Sequence, residues 1–214
     1  MGGDFIDIGA NQGQSAMSLS VVDRKRRIIS FEPNLSLKPL LKITKFMLGE
    51  KFTFYLFGIG ETTSEREFYI PKLNRILLTA EGSFDPLQLR SDAVKDAIGK
   101  PYEIIKYKFR TMNFDEFMQK SSIHPAFIKI DVQGFELDAL KGMVKVIQKY
   151  APIFLIEKSN QLELIRSFFN SYDYRIYYYD YRVNKLRYED TCISSNYFSI
   201  SQATINKHFK GLFI

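Results

Sequence analysis

The sequence predicts an α/β fold in which helices cover both faces of a mostly parallel sheet and an antiparallel hairpin closes one edge. Three observations carry this. Short apolar runs that end on an acidic or glycine residue alternate with stretches of helical periodicity. Those runs are apolar at successive positions, as strands buried under two helical layers must be. Two late runs, 175–179 and 197–200, follow one another with no helical stretch between them.

The elements follow in order. Residues 5–8 form a buried strand, and the turn that begins at Gly9 leads into a helix over 14–22. Residues 28–31 form a second strand, stopped by Pro33, which has no N–H for the ladder. Leu37, Leu40, Leu41, Thr44, Met47 and Leu48 recur at helical spacing, with Asn34 or Ser36 as cap and Pro39 in the first turn, where its missing donor costs little. Residues 52–57 form a third strand that ends in Gly58-Ile59-Gly60. From 61 to 112 the pattern is less regular: strands at 67–70 and 104–109, loop and short helix over 72–100, a connection long enough to act as a lid. A short helix at 114–118 precedes a strand at 127–132 and a helix over 134–150, which Pro152 ends. A strand at 153–156, a helix at 162–169 and the two late strands complete one domain over residues 1–214, with no linker or repeat.

Composition narrows the class. With 45% hydrophobic residues the chain can bury a core, and no apolar run approaches the roughly 18 residues that a membrane span needs. Asp4 and Asp7 interrupt any signal-peptide apolar region. The single cysteine, Cys192, excludes an internal disulfide framework and fits a reducing, cytoplasmic compartment. A net charge of +6 serves solubility as well as it would serve a polyanion. The densest basic run, Asp23-Arg24-Lys25-Arg26-Arg27, falls between a helix and a strand, away from the strand carboxyl ends, and reads as a solvated loop. A nucleic-acid substrate is disfavoured on that ground.

Ligands of open α/β sheets sit beyond the carboxyl ends of the strands. Four such ends carry polar or glycine residues: Asp7-Ile8-Gly9, Glu32, Gly58 and Asp131. Gly9 and Gly13 let the backbone turn tightly, and the N-terminus of the next helix offers free N–H groups. Glu32, 23 residues after Gly9, can accept both hydroxyl hydrogens of a ribose. A dinucleotide would need a second glycine for its pyrophosphate where Asn11 stands, so NAD and FAD are disfavoured. S-adenosyl-L-methionine has no phosphate and suits this turn. The expected cofactor-binding residues are Asp7, Gly9, Ala10, Asn11, Gly13, Ser15, Glu32, Pro33, Gly58 and Ile59. Two histidines argue against a zinc cluster; Asp131 with Glu157 could take Mg²⁺, but nothing requires a metal.

These residues resemble the FkbM family of S-adenosylmethionine-dependent methyltransferases. Phe5-Ile6-Asp7-Ile8-Gly9-Ala10-Asn11-Gln12-Gly13, Phe31-Glu32-Pro33-Asn34, Phe57-Gly58-Ile59-Gly60 and Gly82-Ser83-Phe84 occur in family order. The most specific stretch is Ile128-Lys129-Ile130-Asp131-Val132-Gln133-Gly134-Phe135-Glu136, continued by Leu140-Lys141-Gly142 and Pro152-Ile153-Phe154-Leu155-Ile156-Glu157. The resemblance implies the class I methyltransferase (Rossmann-like) fold with a seven-stranded sheet. It also implies methylation of a hydroxyl on a sugar, glycolipid or polyketide-like metabolite. The family usually has Glu where Gln133 stands, and relatives commonly carry residues before the first strand. An alcohol nucleophile gains from a base. Asp131 is the expected base, or else a helix cap, and Glu157 a second carboxylate on the same rim. Glu136 is expected to compensate a helix dipole, Lys129 to pair with an acid or reach the rim, and His124 to lie at the surface. An RNA methyltransferase, or a cofactor-binding domain without turnover, are the alternatives.

Overall fold

The computed structural model describes residues 2–74, 76–78, 82–83, 86–188 and 194–209; Met1, Phe84 and Cys192 lie outside the described residues. In chain order the elements begin with β1 (Asp4–Ile8), α1 (Gln14–Val22), β2 (Ile28–Phe31), α2 (Lys38–Leu48) and β3 (Phe52–Tyr55). Then come β4 (Gly58–Ile59), β5 (Ser64–Leu73), β6 (Ile76–Leu77), α3 (Asp92–Ile98), β7 (Glu103–Met112) and α4 (Phe114–Met118). The second half holds β8 (Pro125–Ile130), α5 (Glu136–Lys141), α6 (Val144–Tyr150), β9 (Ile153–Glu157) and α7 (Leu162–Asn170). It ends with β10 (Tyr174–Asp180), β11 (Lys185–Arg187), β12 (Asn196–Ser201) and α8 (Gln202–His208).

The main sheet runs β11-β10-β12-β9-β8-β1-β2-β3. Strands β3, β2, β1, β8 and β9 pair in parallel, and β12 lies antiparallel between β9 and β10. The sheet is therefore of the expected mostly parallel kind, with two differences in detail. Among the described residues it holds eight strands rather than seven, because the three-residue β11 pairs antiparallel with β10. The edge hairpin is β10–β11, while β12 sits one place inward.

Alternation along the strands divides the core. Ile6, Ile8, Ile128, Ile130, Phe154 and Ile156 pack with residues of α4 to α7, whereas Phe5, Ala16, Ile28, Leu41 and Phe52 pack on the α1–α2 face. The cap expected for α2 is displaced: Asn34 accepts from the Ser36 N–H at 3.0 Å and so caps a 3-10 turn at Leu35–Leu37, which leads into α2 with no side-chain cap of its own, while Pro39 falls in the first turn of α2 as expected.

Two expectations are corrected. The helix expected over 134–150 is two helices broken at Gly142-Met143. A Cβ at Gly142 would stand 2.1 Å from the Gly60 carbonyl, so another chain segment crosses the helix there. Asp115 then caps the restart, accepting from the Lys145 and Val146 N–H groups at 2.8 and 2.9 Å. The third strand stops at Tyr55, and Gly58–Ile59 joins a second sheet of order β4-β7-β5-β6. Phe57 turns inward between them to pack against Phe31 and Phe117, with ring centroids at 5.5 and 5.9 Å. The stretch expected to be irregular thus contains two ten-residue strands, paired antiparallel from Ser64↔Thr111 to Lys72↔Glu103.

Candidate functional site

The parallel register assembles the site. Phe31 pairs with Ile8, so Gly9 and Glu32 emerge side by side, and the Gly9 N–H donates to the Phe31 carbonyl at 2.9 Å. Gly9 has φ +86°, and a Cβ there would stand 1.9 Å from the Asp131 carbonyl, so no other residue fits. Asn11 is also left-handed, at φ 49°, which asparagine tolerates. Its N–H donates to Glu32 Oε2 at 2.8 Å, and the Asn34 N–H donates to Oε1 at 2.8 Å. Burial nevertheless pushes the Glu32 carboxyl up to about 7, against the pull of those two N–H groups.

A second carboxylate group forms the same way. Ile130 pairs with Ile156, which sets the next residues, Asp131 and Glu157, beside each other within hydrogen-bonding reach. Burial and the bond to Asp131 push Glu157 up to about 7. Burial acts on Asp131 too, but the Lys129 ammonium and the bonds from Glu157, Lys129 and Gln133 outweigh it and hold its carboxyl below the usual range. Lys129 Nζ lies 2.9 Å from Asp131 Oδ2 and 3.9 Å from Asp7 Oδ1. Asp7, Ser30 and Lys129 stand in register on adjacent strands and share a face, and Ser30 Oγ donates to Asp7 Oδ2 at 3.0 Å. Gln133, left-handed at φ 53°, donates from Nε2 to Glu157 Oε2 at 3.4 Å. Glu136 is fully buried and closes the turn before α5, accepting from the Gly134 and Val132 N–H groups at 3.0 and 3.4 Å.

A cavity of about 210 Å³ opens at these strand ends. Of the expected cofactor residues, Gly9, Asn11, Glu32, Pro33, Gly58 and Ile59 line it, and Asp131 and Glu157 line it as well. The other four stand behind the wall. Asp7 is buried against Lys129, and Ala10 is buried in the α1–α2 core. Gly13 brings α1 against α2, where a Cβ would meet Thr44 Oγ1 at 2.4 Å; Ser15 is half-buried in the first turn of α1. The second sheet contributes Phe68, Ile70, Tyr107, Phe109 and Thr111, none of them anticipated. Tyr107 ties that sheet to the rim by accepting the Leu35 N–H at 2.6 Å. The sequence signal was the pair of strand-like runs at 67–70 and 104–109, but their partner was not legible. Asn11 Oδ1 is buried in the cavity wall with no hydrogen-bond partner among the described residues, an acceptor left for a ligand. The mixed lining of apolar walls, carboxylates and one open amide oxygen suits a ligand with an apolar ring, hydroxyl donors and positive charge. His124 is exposed, as expected. Among the described residues no three His, Cys, Asp or Glu side chains group closely enough to hold a metal ion.

Residues 7–176 match the family described as the methyltransferase FkbM domain. No curated protein matches the chain. Among solved structures, the methyltransferase FkbM of Methylobacillus flagellatus KT is similar with a TM-score of 0.58 and 18% identity, over 92% of this chain and 43% of that one. This chain thus spans less than half the length of that relative, and the likeness is one of fold. Precorrin-6y C5,15-methyltransferase from Geobacter metallireducens GS-15 gives a TM-score of 0.44 at 10% identity, over 92% of this chain and 77% of that one. A fibrillarin/Nop5p complex gives 0.44 at 11%, over 93% and 72%.

Proposed function

This chain belongs to the FkbM methyltransferase family, and on that premise we propose that it moves a methyl group from S-adenosyl-L-methionine to a hydroxyl oxygen of a sugar, glycolipid or polyketide-like acceptor. In this reading residues 1–214 work as one methyltransferase domain in the cytoplasm. The observation that carries it is the common cavity of Glu32 and the Asp131–Glu157 pair. Glu32 would hold the ribose hydroxyls, Asn11 Oδ1 would accept from the ammonium group, and the walls at Leu37, Ile59 and Phe109 would enclose the adenine.

When bound, the cofactor supplies a methyl group already activated on a sulfonium, so orientation and exclusion of water are the protein's main tasks. Lys129 keeps Asp131 ionised, and Asp131 takes the acceptor's hydroxyl proton as the new C–O bond forms. Glu157, close to half-protonated near neutral pH, donates to Asp131. The side chains of Phe68, Ile70 and Phe109 exclude water from the reaction path.

Calorimetric titration with S-adenosylhomocysteine tests the cofactor site. Saturable binding to the wild type, weakened at least about a hundredfold in Glu32→Ala, is expected from losing a charged, bidentate acceptor. A folded wild type that binds nothing would sink the reading. Gln133 motivates the second reading, cofactor binding without turnover, since it places an amide where a carboxylate is usual. Acceptor methylation gained only by Gln133→Glu would favour it. Arg26 and Arg27 are bonded to Asp23 and Asp4 at the far end of the sheet, so the basic run lends no support to a nucleic-acid acceptor.

A further inference from the structure

The fold uses only one side of α2. Leu41 and Thr44 are buried; at 100° per residue Phe46 and Ile43 face away from them, Met47 and then Leu40 continue the apolar stripe along one flank, and all four are exposed, Phe46 to 89%. The flank beside this apolar stripe carries Lys38, Lys42 and Lys45. Neither α1 nor α2 contains an acidic residue. The α1 helix packs alongside, and its end presents Val21 and Val22, each about three-quarters exposed. Arg24 and Lys25 follow, and Lys51 Nζ donates to the Arg24 carbonyl at 3.3 Å, which joins this turn to the end of α2. Single exposed apolar residues are ordinary on a protein surface; a stripe of them along one helix, bordered by cations, is not.

We propose that this α1–α2 face is a docking surface for an anionic lipid bilayer. Phe46, Ile43 and Met47 enter the boundary between headgroups and acyl chains, while Lys38, Lys42 and the 24–25 turn meet anionic headgroups. Charge complementarity selects this occupant. A second copy bound through the same face would set this cation-bordered patch against an identical one, because a two-fold contact uses the same surface on both subunits. Leu37, at the head of α2, lines the cavity from the buried side of the helix, so the docked helix also carries part of the cavity wall. The docking does not depend on the methyltransferase reading.

Co-sedimentation of the full chain with extruded vesicles tests it. Binding is expected to vesicles of equal parts phosphatidylcholine and phosphatidylserine, not to phosphatidylcholine alone, and to weaken as salt is raised. Phe46→Ser with Ile43→Ser, and separately Lys38→Glu with Lys42→Glu, should each lower partitioning by about tenfold or more. All four positions are exposed, so circular dichroism and S-adenosylhomocysteine binding should stay unchanged. Three results overturn the proposal: no binding to the mixed vesicles, binding that both double variants retain, or self-association in the ultracentrifuge that Phe46→Ser abolishes while vesicles bind nothing. Vesicle binding by a protein that does not bind S-adenosylhomocysteine would end the methyltransferase reading and leave the docking surface standing.

Discussion

Lys129 stands in β8, inside the main sheet, where a cation is costly unless paired, and its side chain is only 14% exposed. Its partners are Asp7 on the neighbouring strand and Asp131 two residues on, which alternation places on the same face. Lys129→Met leaves Asp7 buried without a cation and should cost about 3 kcal/mol of stability at neutral pH by urea denaturation. Burial already raises the Asp7 carboxyl above its unfolded value, so its burden appears as pH rises. Asp131 is held low, so the stability it brings is present above its unfolded value and lost in acid. Both effects make the variant's deficit shrink as pH falls. An unchanged urea midpoint at neutral pH would mean that the ion pair holds nothing. Glu32 gives a ligand-linked counterpart. A ribose needs the ionised carboxylate, and that carboxyl titrates near 7, so S-adenosylhomocysteine affinity should fall about tenfold per pH unit below 7 and level off above it. Glu157 titrates in the same range; a profile that Glu32→Gln leaves unaltered would assign the dependence to Glu157. The acids themselves were legible as strand ends. The pairing of Lys129 with Asp7 was not, because it depends on the register between strands far apart in the chain.

Helix boundaries divide in the same way. Pro39 and Pro152 act on their immediate neighbours, so the limits they set could be read directly. The break between α5 and α6 could not. The face formed by Leu140, Met143, Val144 and Ile147 keeps helical spacing straight through it, and the interruption comes from the Gly60 backbone crossing at Gly142. Asp115, on α4, then does the capping that no residue of the segment itself provides. Asp115→Ala removes two hydrogen bonds to the first turn of α6 and should cost about 1 kcal/mol, read as a lower urea midpoint with an unchanged slope. Loss of less than a few tenths of a kcal/mol would show that Met143 and its neighbours restart the helix unaided.

Across the molecule, the cavity lies between two sheets. The parallel strand ends form its floor, and β5 and β7 form its cover, tied down where Tyr107 accepts from Leu35. Bound S-adenosylhomocysteine should therefore slow hydrogen exchange in β5 and β7 as well as in the 9–13 turn. The slowing should reach about a hundredfold at a hundred times Kd for amides that exchange only when the ligand leaves. Protection confined to the strand ends would mean that the second sheet does not cover the ligand. The chain's own letters dictate which segments become strands or helices and which residues stand at their ends, because periodicity, capping and proline act within a few residues. They also dictate the carboxylates and glycines of the family pattern. Folding alone decides that Asp131 meets Glu157, that Lys129 bridges to Asp7, that β12 inserts beside β9 and that the 64–112 stretch covers the cavity. Each of these depends on pairing between distant segments, where many registers satisfy the same local pattern and only the packed whole selects one.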